Sequence, residues 1–92
     1  MSGINELDAQ FAQAQADVKE LPERPGNLTL LRLYALYKQA SQGDVQGEKP
    51  GFTDIAGRYK YDAWTALSGT PQDTAKQQYV DLVKSLKSGA SA

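Results

Sequence analysis

The segment 28–41 constrains the fold more than any other part of the chain. Apolar or aromatic side chains stand at Leu28, Leu30, Leu31, Leu33, Tyr34, Leu36, Tyr37 and Ala40. Set on a helical repeat, they cover well over half the circumference, whereas an ordinary surface helix carries a stripe of about 100° or somewhat more. Such a helix either sits among several neighbours, as at the centre of a bundle, or turns part of its excess toward a groove. Steps of three and four also place Tyr34, Tyr37, Lys38 and Ser41 on one side of it. Across a glycine-rich loop a second basic cluster follows, Arg58-Tyr59-Lys60. Rings and a cation facing another basic cluster suit an anionic ligand that carries a flat ring.

The flanking segments are helical as well. Ile4, Leu7, Phe11, Ala14, Val18 and Leu21 recur at helical steps, with Asn5 or Ser2 as cap, acids in the first turn, and Pro22 and Pro25 as the stop. Pro25-Gly26 marks a turn, and Asn27 is the expected N-cap of the second helix. Residues 43–55 lack periodicity and read as a long loop. Its Gly43 to Lys49 run is one residue short of a phosphate loop, and Lys49 precedes Pro50 where Ser or Thr belongs. The acids there also miss the calcium-loop pattern, because Gln46 stands where a second ligand belongs. Asp54 caps a third helix running to about residue 67, with Trp64 and Leu67 as core and Ser68-Gly69 as its end. Thr70-Pro71-Gln72-Asp73 predicts an N-cap, an N1 proline and an acid at N3 for a fourth helix. That helix carries Ala75, Tyr79, Leu82, Val83 and Leu86 at helical steps, and residues 88–92 are expected to fray. Four helices without a credible strand predict an all-α bundle.

Composition narrows the chemistry. With 92 residues the chain reads as one domain, residues 1–92. A formal charge of -1 argues against a general nucleic-acid binder. The charge is unevenly placed: Glu6, Asp8, Asp17, Glu20 and Glu23 crowd the first part, while Arg32, Lys38, Lys49, Arg58 and Lys60 put cations in the middle, where an anion site belongs. The absence of His and Cys excludes thiolate nucleophiles, disulfides, Cys/His zinc sites and the usual neutral base. Residues 1–10 have neither a basic nor an apolar signal region, and no run reaches the roughly 18 apolar residues of a span, so a cytoplasmic, soluble protein is expected.

Taken together, the segments resemble the acyl-CoA-binding protein family from about Phe11 to Leu86. The resemblance rests on Phe11, Val18-Lys19, Leu21-Pro22, the L-Y-A-L-Y-K-Q-A run at residues 33–40, and Gly43-Asp44-Val45. Lys49-Pro50-Gly51, Asp54, Gly57, Lys60, Asp62-Ala63-Trp64, Leu67, Gly69 and the Ala75/Tyr79 pair continue it in order and without gaps. It implies an up-down-down-up four-helix bundle, a monomer of one domain that takes medium- and long-chain acyl-CoA esters one-to-one in a surface bowl. The implied role is an intracellular carrier and pool former, with no cofactor, no metal, no nucleic acid and no stable membrane insertion. In the family pattern Tyr34, Lys38 and Lys60 hold the ribose 3′-phosphate, Tyr37 lies against adenine, and Lys19 is close to the nucleotide. Ala14 and Leu30 line the trough for the acyl chain, and Tyr79 closes the site from the last helix. Three positions depart from the family: Ala56 replaces a common Lys, Tyr59 a usual alanine and Tyr61 a usual tryptophan. Arg58, two residues from Ala56 and roughly 200° round the helix, is no simple replacement for that lysine.

Two other functions compete with the carrier. A protein-interaction bundle would use the aromatic face of the second helix to grip a partner helix, and would show no dependence on acyl-chain length. An enzyme acting on thioesters would need an activated Ser, Lys or carboxylate, and no G-x-S-x-G motif is present.

Overall fold

The computed structural model describes residues 5–89, and these hold four helices with no strand among them. They are α1 (Glu6–Val18), α2 (Asn27–Gln42), α3 (Ile55–Thr65) and α4 (Gln72–Lys87). Ser2, Ile4 and the last three residues lie outside the described part.

Local chemistry starts two helices as the residues demand. Asn5 caps α1 by accepting from the Leu7 and Asp8 N–H groups, and Asp54 caps α3 by accepting from the Gly57 N–H. The other two starts are corrected by one residue. Asn27 is already the first residue of α2, and Gly26 is its N-cap, without a side-chain bond. Pro71 caps α4 in place of Thr70, again with no side-chain bond, and its carbonyl accepts from the Ala75 N–H at 3.0 Å. In both helices the backbone carbonyl suffices to begin the ladder. Two ends also fall early. α1 stops at Val18, before its prolines, and α3 stops at Thr65 in a series of tight turns leading to Gly69, whose φ of 89° suits only glycine comfortably.

Cross-helix contacts fix the directions. Lys76 meets Asp8 at 2.7 Å and Lys87 meets Asp17 at 3.0 Å, so α4 advances alongside α1 in the same direction. The Lys60 ammonium lies over the Tyr34 ring and that of Lys38 over Trp64, so α2 and α3 also run parallel. At the end of α2, Gln39 Nε2 donates to the Thr70 carbonyl and Gln72 Nε2 to that of Ala40. The end of α2 thus rests on the start of α4, and Thr29 shares a cavity with Leu86 at the other end. The order is up-down-down-up.

α2 packs against both α3 and α4, and α1 packs against α4. The core joins Phe11 and Ala14 of α1, Leu33, Leu36 and Ala40 of α2, and Ala75, Tyr79, Val80, Leu82 and Val83 of α4. Full burial of a residue such as Leu36 stabilises by about 1.5–3 kcal/mol. Both readings of the broad apolar surface of α2 therefore hold. Leu33, Leu36 and Ala40 enter the core, while Leu28, Leu30, Leu31 and Tyr34 line a cavity shared with α3.

The crossover between the parallel helices is tied down from α3. Trp64 Nε1 donates to the Gly43 carbonyl at 2.8 Å, the Tyr61 hydroxyl to that of Gly47 at 2.9 Å, and Arg58 to that of Pro50 at 3.0 Å. Lys49 pairs with Asp62 at 2.9 Å. Asp44 joins this loop to the turn before α4: its Oδ1 accepts from the Gly69 N–H and from Gln39 Nε2. Those two donors, that of Gly69 first, hold the Asp44 carboxyl below its usual range.

Candidate functional site

The site is built on the α2–α3 pair. Because the two helices run parallel, positions 34 and 60 come level, and positions 38 and 64 come level one turn further on. The Lys60 Nζ lies 5.4 Å from the centre of the Tyr34 ring. The Lys38 Nζ lies 4.9 Å from the centre of the Trp64 ring. Trp64 is a core residue with its indole N–H engaged, so it offers Lys38 a fixed face.

These two lysines differ from others in the chain. Among the described residues the carboxylates pair with Lys49, Lys76 and Lys87, and none lies within bridging distance of Lys38 or Lys60. Both ammoniums rest on ring faces, which leaves their charge available to an anion. Arg58, the other cation of the sequence cluster, turns instead to Phe52 and the Pro50 carbonyl.

Next to Lys60 a cavity of about 620 Å³ opens between the first halves of α2 and α3. Leu28, Leu30, Leu31 and Tyr34 line it from α2, and Ala56, Tyr59 and Lys60 from α3. Arg24 of the α1–α2 turn and Asn27, the first residue of α2, line it as well. Its only charged lining residues are thus two cations, and most of its wall is apolar. It can accept a molecule that is anionic at one part and oily at another.

A second group of rings extends from α2 toward α4. Tyr37 stacks on Phe11 with ring centres 6.2 Å apart, and Phe11 meets Tyr79 edge to face at 5.2 Å. Tyr37 keeps 40% of its surface exposed, enough for a further ring to lie against it. Tyr79 is buried, and burial with Tyr37 close by pushes its hydroxyl above the usual tyrosine range. It stays a neutral hydrogen-bond donor at physiological pH.

The expected site residues therefore fall into groups. Tyr34, Lys38 and Lys60 share the α2–α3 face, with Leu30 in the adjoining cavity. Tyr37 and Tyr79 are joined through Phe11. Ala14 is buried in the core cluster beside Phe11, away from that cavity's lining. Lys19 is exposed just past the end of α1, and among the described residues no hydrogen bond, ion pair or ring contact of its side chain draws it to the others. Sequence reasoning missed Arg24 as a cavity wall and Trp64 as the support of Lys38, and it named Leu31 and Tyr59 only within the broad apolar surface of α2 and the cluster at 58–60. The spacing of Lys38 and Trp64 matched that of Tyr34 and Lys60, but only parallel packing makes that match meaningful. Among the described residues no group of three or more acids gathers to hold a metal, and no helix is long and apolar enough to cross a membrane.

Comparison with known proteins gives a consistent picture. The family model described as Acyl CoA binding protein matches residues 8–83. Enoyl-CoA delta isomerase 2 of Rattus norvegicus is 51% identical over 82 residues, which is 89% of this chain but 21% of the isomerase. The chain thus spans about a fifth of that relative's length. The acyl-CoA-binding protein of Saccharomyces cerevisiae is 46% identical over 76 residues, covering 83% of this chain and 87% of the yeast protein. The crystal structure of Oryza sativa Acyl-CoA-Binding Protein 2 superposes with a TM-score of 0.86 at 37% identity, covering 90% of this chain and 92% of that one.

Proposed function

Since this chain belongs to the acyl-CoA-binding protein family, we propose that it binds medium- and long-chain acyl-CoA esters with high affinity and acts as an intracellular carrier and pool former. The observation that carries the reading is that Lys38 and Lys60 rest on ring faces beside an apolar cavity, with no carboxylate in bridging distance among the described residues. On this reading residues 1–92 form one acyl-CoA-binding domain that works as a monomer in the cytoplasm.

Each end of the ligand meets its match. Lys38 and Lys60, with the Tyr34 hydroxyl, take the ribose 3′-phosphate through charge-assisted hydrogen bonds, each contributing about 1.5–3 kcal/mol. Before ligand arrives, the rings of Trp64 and Tyr34 hold the ammoniums in place, which lessens the ordering cost of binding. Tyr37 takes the adenine on its exposed side, Lys19 stands toward the nucleotide, and Tyr79 donates from α4. The acyl chain lies along Leu30 and its cavity neighbours, and Ala14, buried beside Phe11, backs the site from α1.

The segment holds and shields the thioester and does no chemistry on it. It has no His or Cys, and its match to enoyl-CoA delta isomerase 2 spans a fifth of that protein. Each buried methylene contributes about 0.8 kcal/mol, so two more carbons tighten binding roughly ten-fold until the trough is full. Calorimetric titration with free coenzyme A and with octanoyl, myristoyl and palmitoyl esters tests this. Affinity is expected to climb with chain length and then level off. Equal affinity for free coenzyme A and the palmitoyl ester would refute the reading.

A further inference from the structure

From the walls of the α2–α3 cavity we infer that Tyr59 is the residue that sets how strongly this protein prefers a ligand with a long acyl chain over the bare nucleotide. The inference rests on the acyl-CoA reading above and names the part of the site that reads the tail.

Four observations carry it. First, Tyr59 lines the cavity from α3 opposite Leu28 and Leu31 of α2, so its ring and those leucines face one space. Second, 59% of its surface is exposed, although it is large and mostly apolar, and its hydroxyl has no hydrogen-bond partner among the described residues. The fold does not need this ring for its core. Third, Ala56 lies on the same side of α3 one turn earlier, and it also lines the cavity. The parallel register that sets 34 beside 60 sets 30 beside 56, so a small side chain there leaves room between the helices for a ligand. Fourth, Tyr59 adjoins Lys60, whose ammonium lies on Tyr34. A ligand held there by its phosphate passes the Tyr59 ring where its apolar part enters the cavity.

An alkyl chain between that ring and the leucines loses contact with water on both sides. Without the ring, one side of the same chain faces solvent. The ring therefore adds binding energy in proportion to the methylenes beneath it, and adds none for a ligand with no tail.

The test compares the intact protein with Tyr59→Ala and Tyr59→Leu, titrating palmitoyl-CoA, octanoyl-CoA and free coenzyme A into each. Thermal melts accompany the titrations, and they are expected to be little changed because the ring lies outside the core. Tyr59→Ala is expected to weaken palmitoyl-CoA binding about ten-fold, octanoyl-CoA less, and free coenzyme A by less than two-fold. Tyr59→Leu, which keeps a shorter apolar wall, is expected to fall between. A uniform loss for all three ligands would overturn the inference, since the ring would then serve the nucleotide or the fold. Unchanged or tighter palmitoyl binding in Tyr59→Ala would overturn it too, because the ring would then be idle or obstructive. If the wild-type protein discriminates none of the ligands, the acyl-CoA reading itself fails and takes the inference with it.

Discussion

At the scale of single residues, Lys38 and Lys60 do little for the fold. Each rests on an aromatic face with no acid in bridging distance among the described residues. A cation–ring contact at a partly exposed site contributes about 0.5–1 kcal/mol, less than a hydrogen bond from ammonium to phosphate. Lys38→Ala should therefore weaken acyl-CoA binding by roughly ten- to a hundred-fold, with a stability loss within about 1 kcal/mol. Titration and urea unfolding of one preparation check both halves. Large destabilisation with unchanged affinity would make Lys38 a structural residue. Position 61 shows the other side of the comparison. Tyrosine stands there where tryptophan is usual, and its hydroxyl holds the Gly47 carbonyl, so this departure serves the crossover loop.

At the scale of elements, the start of α3 deserves a test because it positions Ala56, Tyr59 and Lys60. Asp54 accepts from the Gly57 N–H at 3.0 Å, and a Cβ added at Gly57 would collide with that same carboxylate. Ordinarily a Gly→Ala change inside a helix stabilises by about 0.5–1 kcal/mol. Here the added methyl displaces the cap, whose loss costs about 1 kcal/mol. Gly57→Ala is expected to bring no gain in the wild-type protein but a gain of about 0.5–1 kcal/mol once Asp54→Ala has removed the cap. Urea unfolding of the two single variants and the double variant measures that difference. Equal effects in both backgrounds would mean that cap and methyl coexist.

At the scale of the whole molecule, acid should loosen the bundle through two carboxylates that link separate segments. Gln13 first and then Lys87 hold Asp17 below its usual range, joining α1 to the end of α4. Gly69 and Gln39 do the same for Asp44 at the junction of the crossover loop and the turn before α4. A carboxyl whose folded pKa is depressed binds its proton more readily when unfolded, so its contribution is present above the ordinary value of about 3.9 and fades as pH falls through and below it. Both groups are solvent-accessible, and the effect of each is accordingly modest. Urea midpoints should hold steady from pH 7 to 5 and drop below pH 4. Asp44→Asn should lower the midpoint at pH 7 and make the acid decline shallower. An unchanged decline in that variant would remove Asp44 from the account.

How much of this was legible beforehand follows from the distance over which each feature is decided. Helix existence, the Asn5 and Asp54 caps, and the common side of Tyr34, Tyr37 and Lys38 depend on neighbours within about four residues, where periodicity and capping chemistry are written directly. The family resemblance added the bundle's order and the roles expected of Lys38 and Lys60. The helix starts at Gly26 and Pro71 escaped because a backbone carbonyl began each ladder, leaving the more conspicuous Asn27 and Thr70 aside. The remaining features join residues far apart in sequence: Lys38 on Trp64, Lys60 on Tyr34, and Tyr59 across a cavity from Leu28 and Leu31. Such contacts exist only after a long crossover has closed and two helices have settled in register. That register comes from the packing of both helices at once, and no local stretch of either one contains it.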